Sequence, residues 1–308
     1  MSPLIARSYD RAGLKGLMDQ ALDAFVRRDA GRLPLAADVR YTEQGQALAL
    51  GDGFWATASG QGGYRHDYID PEAGEVATMA TMLENGNPVL LGLRLKVQLG
   101  RITEIESVFY RRGGGPSWND AGIDTLNAAG GPPDLWLQDI PRENRSPRQA
   151  LIAVANAYFA GLQNNDGKAD YPFTDDCHRL ENGVATSNNP DLQMGSPDFN
   201  PAAMTVKEQF KTGFYAVVTR IDDRRFPVVD EDKGVVLAYA AFNHGGTVHE
   251  VVTPDGRVVP MRFFNRPGSI LIMEAFKIEN GLIRQVEAIG TSAPYGLKTG
   301  WPGGVLGA

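Results

Sequence analysis

The stretch RRFPVVDEDKGVVLAYAAFNH, Arg224 to His244, decides the fold. It reads as two strands joined by a turn. Asp230 to Gly234 make the turn, and Val235 to Phe242 is a long apolar run rich in β-formers. The same shape occurs earlier as RHDYIDPEAGEVATMATMLE, Arg65 to Glu84. Without a gap, Arg65 aligns with Arg225, Asp70 with Asp230 and Gly74 with Gly234. The hairpin is therefore present twice, and the chain is a tandem repeat.

The repeat extends both ways. PLAADVRYTEQG (Pro34 to Gly45) aligns with PFTDDCHRLENG (Pro172 to Gly183), matching Asp38 to Asp176 and Glu43 to Glu181. LRLKVQLGRITEIES (Leu93 to Ser107) aligns with EAFKIENGLIRQVEA (Glu274 to Ala288), matching Lys96 to Lys277 and Glu106 to Glu287. An amphipathic helix precedes each set. Leu14, Leu17, Met18, Ala21, Leu22 and Phe25 set the first, Leu151, Val154, Ala155, Tyr158 and Leu162 the second. Ser146 to Gln149 reads as a capping box opening the second helix, and Thr205 to Glu208 opens another by the same logic.

A length of 308 residues accommodates two domains, each with its own core. The expected division is residues 1–115 for a first, structural repeat and 116–146 for a Gly/Pro-rich linker. A second repeat at 147–297 is the candidate active-site domain, and 298–308 is a tail. Leu135, Trp136 and Leu137 are the linker residues suited to dock on a domain surface. A net charge of −7 without a basic block argues against nucleic acid and anionic membranes as partners. The single cysteine, Cys177, excludes an internal disulfide. No apolar run has the length of a signal peptide or a membrane span, so a cytoplasmic location is expected.

Helix, short strand and a run of long antiparallel strands predict an α+β fold. In it, two tandem cone-shaped curved antiparallel sheets are each wrapped over helices around an internal cavity. That order, with ENG after the first strand and the closing pair ILIMEAFKIENGLIRQVEAI, resembles the nuclear transport factor 2-like superfamily, including SnoaL-like and scytalone-dehydratase-like enzymes. Its members include dehydratases, isomerases, epoxide hydrolases, small lyases and non-enzymatic binding modules. The resemblance implies a fold and a pocket and leaves the reaction open. It also implies that open sheet faces pair, either between the two repeats or in a homodimer.

Duplication supplies an internal control. Residues common to both halves, such as Asp70/Asp230 and Glu106/Glu287, read as structural, and ionisable groups unique to one half are candidates for chemistry. Glu274 replaces Leu93 on a face otherwise apolar in both repeats, where a carboxylate takes a raised pKa. His178 stands where Arg40 stands, His244 where Glu84 stands, and His249 lies in an insertion, Gly245 to Gly268. The expected catalytic set is Glu274 with His178 or His244, and Asp176 orienting the histidine. Tyr239, Phe242, His249 and Arg225 are candidates to bind substrate, although Arg225 or Arg262 would equally serve as a structural partner for Glu274. No known metal-ligand spacing, phosphate loop or serine elbow is present, and no cofactor is expected. The leading expectation is a cofactor-free acid/base enzyme, a lyase, dehydratase or isomerase, acting on a small apolar or aromatic molecule. The alternative is a binding or assembly module without turnover.

Overall fold

The computed structural model describes residues 9–115, 117–194, 198–261 and 264–301. Arg262 and the end of the expected tail lie outside these. The first half opens with helix α1 (Arg11–Arg27). Asp10 caps it by accepting from Gly13 N at 2.7 Å, and its buried face is the one that the spacing predicts. Strands β1 (Leu35–Glu43) and β2 (Gln46–Ala47) follow, then the short helix α2 (Phe54–Thr57). Next come β3 (Ala58–Asp70), β4 (Glu75–Glu84), β5 (Asn87–Gln98) and β6 (Arg101–Arg111).

The expected linker carries helices α3 (Gly122–Ala129) and α4 (Asp134–Leu137). Ile123, Leu126 and Trp136 are buried, whereas Leu137 stays exposed. The second half repeats the plan with α5 (Arg148–Gln163), β7 (Phe173–Glu181), β8 (Val184–Ala185), α6 (Val206–Lys211), β9 (Arg220–Asp230) and β10 (Val235–His244). The insertion forms a small ribbon, β11 (Glu250–Val252) and β12 (Val258–Pro260). β13 (Gly268–Glu279) and β14 (Leu282–Ala293) close the fold.

The strand orders are β2-β1-β6-β5-β4-β3 and β8-β7-β14-β13-β10-β9, the same topology twice. One α+β plan, a six-stranded sheet with its own helices, is thus built twice. Each sheet is mixed rather than wholly antiparallel, because β1 runs parallel to β6 and β7 parallel to β14. The matching hairpins behave as the sequence predicts. Asp70 Oδ1 accepts from Ala73 N and Asp230 Oδ1 from Lys233 N. Gly74 and Gly234 take φ of +67° and +61°, a region that side chains disfavour.

Two local expectations are corrected. Helix α5 has no side-chain cap from Ser146. Glu231, in the second hairpin turn, accepts from Arg148 N instead, so a tertiary contact replaces the local box. Helix α6 does form its capping box, with Thr205 and Glu208. The ungapped match of Arg65 to Arg225 also fails in the ladder. His66 faces Met79, and Arg225 faces Tyr239, the repeat equivalent of Met79. A bulge at Phe226-Pro227 on edge strand β9 shifts the register by one residue. Proline has no N–H to give a ladder, so the bulge falls there.

The concave face of each sheet packs on its own helix. Leu91, Leu93 and Leu95 meet α1, and Ile272, Phe276 and Ile278 meet α5. The opposite faces pack against each other around Tyr68, Met79, Leu90, Val108, Leu237, Tyr239, Met273 and Ile289. Ion pairs cross this interface reciprocally. Arg11, opening α1, holds Asp230 at 2.6 Å, and Arg148, opening α5, holds Asp70 at 2.6 Å. Arg225 holds Glu106 at 2.5 Å, and His66 meets Glu287 at 2.6 Å. Tyr64 and Tyr68 also donate to Glu287, at 2.6 and 3.1 Å. Asp70/Asp230 and Glu106/Glu287 are thus structural, as their agreement between halves predicts.

Candidate functional site

The inner space of the two halves differs. In the first, α2 inserts Phe54 and Trp55. Trp55 stacks on Phe25 at 4.0 Å and Phe54 lies 4.5 Å from Phe109. In the second, the corresponding space is a cavity of about 620 Å³, within the range of small-molecule sites. Leu162, Phe214, Val217, Val218, Phe242, Ile270 and Ile272 form apolar walls. Polar groups come from Tyr158 on α5, Tyr215 before β9, and Arg179, Glu181 and Asn182 at the end of β7. The rim is completed from the first half's side by Gly113 to Gly115 and Asn119, whose buried Oδ1 has no partner among the described residues.

Strand parity places Glu274 on the inner face, as expected. It is fully buried, and neither carboxylate oxygen has a hydrogen-bond partner among the described residues. Burial, reinforced by the charge of Glu181, pushes its pKa up to about 8, while Arg179 pulls the other way. The Tyr158 hydroxyl lies near without meeting hydrogen-bond geometry. Register explains the grouping. Glu274 faces Ala288 on β14, and Ala288 faces Glu181 on β7. Two carboxylates therefore flank one alanine across three adjacent strands, roughly 10 Å apart at the backbone. Glu274 does not itself line the cavity, but Ala288, Glu181 and Tyr158 do.

Arg179 was not singled out from the sequence. It is 2% exposed, donating from Nε to Thr186 Oγ1 at 2.9 Å and from Nη2 to Gln209 Oε1 at 2.7 Å. Glu181 lies 3.5 Å from its Nε, and its guanidinium sits over the Tyr215 ring. The available signal was its parity with Glu181, on the strand that carries the inward Cys177. Burial pushes the Cys177 thiol up to about 12, which suits a core residue and not a nucleophile.

The remaining candidates separate. Phe242 and His244 line the cavity. His178 and Asp176 project from β7 to solvent, His178 contacting Asn188 at 3.1 Å and Asp176 pairing with Arg284 at 3.3 Å. Neither belongs to the cavity, because alternate residues of a strand face opposite ways. His249 is exposed in the insertion. Tyr239 and Arg225 lie on the outer face, in the interface between halves, so Arg225 is no partner for Glu274. His244 is too far from Glu274 for a direct pair. It faces Gly268 where Glu274 faces Ala238, six residues or about 20 Å along the strands. Burial pulls His244 down to about 4, so it is neutral at pH 7. Its ring stacks on Phe264 at 3.8 Å. Among the described residues no three His, Cys, Asp or Glu side chains converge to hold a metal ion, and no helix is long and apolar enough to cross a membrane.

The family model for a domain of unknown function (DUF8021) matches residues 144–290, the span from just before α5 into β14. No curated protein matches the sequence. Among solved structures, the chain is similar to a Bacillus subtilis protein provisionally named an isomerase. That match has 11% identity, covers 46% of this chain and 87% of the other, and has a TM-score of 0.29. It is also similar to AusH from Aspergillus nidulans (13%, covering 48% and 87%, TM-score 0.28). A third similarity is to a Jannaschia protein provisionally named a SnoaL-like polyketide cyclase (15%, covering 50% and 90%, TM-score 0.25).

Proposed function

We propose that the second-half cavity binds a small, largely apolar molecule bearing a carbonyl oxygen and moves a proton at the carbon beside it. This is the cofactor-independent acid/base chemistry of an isomerase or lyase. The observation that carries the reading is the partnerless, proton-holding Glu274 in one row with Glu181, beside a buried arginine. Perturbed carboxyl groups at cavities mark sites of chemistry. Arg179 and the Tyr158 hydroxyl hold the carbonyl oxygen and stabilise charge that develops there. Glu181 takes the proton from carbon, leaving an enol-type intermediate once the oxygen is protonated. Glu274 supplies that second proton through Tyr158; where a C=C adjoins the deprotonated carbon, Glu181 returns its proton to the far end of the dienol while the enol proton passes back through Tyr158 to Glu274, which completes an isomerisation. A binding module without turnover is favoured by one fact alone: Glu274 lies outside the cavity lining.

Deuterium exchange separates the two. Long-chain methyl ketones in D2O, followed by NMR, should lose hydrogen beside the carbonyl faster with the protein than without it. Glu181→Gln and Glu274→Gln should each slow exchange by about 10² or more while the ketone still binds. Binding with no exchange above background leaves only the binding module.

A further inference from the structure

The cavity has a second polar end that proton transfer does not use. His244 lies on its lining, is 3% exposed, and has no partner for Nδ1 among the described residues. Its stack on Phe264 fixes the ring plane, so the nitrogens are held in a set direction. Between the two ends the rows of β13 and β10 are apolar, with Ile272, Ile270 and Phe242, while β14 contributes Gly290 and Ser292. A buried polar atom without a partner carries a desolvation cost that a ligand group can offset.

We propose that His244 is a specificity-determining anchor for a ligand with two oxygen functions at opposite ends of an elongated apolar skeleton. One end, the carbonyl, lies at Arg179. The other, a hydroxyl, exchanges a hydrogen bond with His244. Arg179 lies in the row of Phe276 and Val236, eight residues or about 27 Å along the strands from His244, which sets the upper limit of the span. At neutral pH the imidazole is uncharged, which suits a hydroxyl and disfavours a carboxylate at this end. This inference rests on the proposed carbonyl site for the orientation of the ligand, but not on turnover there.

The test is calorimetric binding of long-chain methyl ketones with and without an ω-hydroxyl, at equal chain length, to the full chain. Wild type should bind the hydroxy ketone about fivefold to tenfold more tightly, the worth of one buried hydrogen bond. His244→Phe keeps an aromatic ring against Phe264 and should bind both at the plain ketone's affinity. In wild type, the His244 Nδ1 NMR signal should shift with the hydroxy ketone and not with the plain one, a readout that needs no variant. Equal binding by wild type, a preference that survives His244→Phe, or failure of both ketones to bind overturns the proposal. Glu274→Gln should retain the preference. If exchange is absent yet the preference stands, only the proton-transfer reading has failed.

Discussion

Glu274→Gln tests the buried carboxyl before any substrate is known. The folded chain keeps a proton on Glu274 up to about pH 8. The unfolded chain releases it near the ordinary value of about 4.3. Between these values the folded state binds more protons than the unfolded state, so stability must fall as pH rises. Below the unfolded pKa both states are protonated and the contribution is flat. Above about 8 both are ionised and it is flat again. At ~1.4 kcal/mol per pH unit, the full effect is roughly 5 kcal/mol, and water entering the adjacent cavity would relax it to roughly 3. Glutamine has nearly the same shape and does not titrate. Urea unfolding of both proteins from pH 5 to 8 should therefore show the variant gaining on wild type by roughly 2–3.5 kcal/mol across the range, the remainder of the effect lying outside this window. Glu75, which burial pushes up to about 7, slopes the same way in both proteins and cancels in the difference. Parallel stability curves would refute the reasoning, because they would mean that Glu274 ionises alike in both states.

The interface and the cavity give three more. Arg225→Ala should cost roughly 2–4 kcal/mol by leaving Glu106 short of a buried partner, and much less in a Glu106→Gln background, as a double-mutant cycle in urea would show. A Cβ on Gly122 would collide with the Asn182 carbonyl oxygen, so Gly122→Ala should lower stability by about 1–3 kcal/mol in the same assay. Ala288→Phe should fill the space between Glu181 and Glu274 and abolish ketone binding by calorimetry, with the unfolding transition still cooperative.

The duplication, the hairpins and the strand faces were legible because they rest on short-range patterns. A turn needs Asp and Gly at fixed offsets, and a strand repeats every second residue. Glu274 was legible for the same reason, since comparison with Leu93 exposed a carboxylate on an apolar face. What failed depended on contacts between distant segments. Ser146 looks like a cap, yet Glu231 from the opposite hairpin takes the role. Arg225 looks like Arg65, yet a bulge at Pro227 gives it the place of His66. Parity alone separates Asp176 and His178 from Cys177 and Arg179, but not which set faces inward. That is decided by packing on α5 and α6, where Phe173 and Cys177 are buried. His244 was legible as a group unique to one half, but its distance from Glu274 follows only from the β10–β13 register.

The asymmetry between the halves yields the sharpest remaining test. Both outer faces are committed to each other through the reciprocal pairs of Asp70/Asp230 and Glu106/Glu287, so those positions agree. The inner faces are free to differ. In the first half Glu43 is tied to the Tyr41 hydroxyl at 2.9 Å and to Phe54 N at 2.7 Å, and aromatic rings fill the space beyond. In the second half the equivalent Glu181 has Arg179 at 3.5 Å and opens on the cavity. Leu93 and Ser107 are replaced by Glu274 and Ala288, so a carboxyl enters where the first half has an apolar group. Restoring the repeat's own residue with Glu274→Leu removes a buried ionisable group at nearly constant volume, a change that is commonly neutral or stabilising. It should raise stability at pH 8 by roughly 1–4 kcal/mol, less at pH 5, and end ketone exchange. A variant less stable than wild type at every pH would show that Glu274 supports the fold, and its place in the proton path would have to be given up.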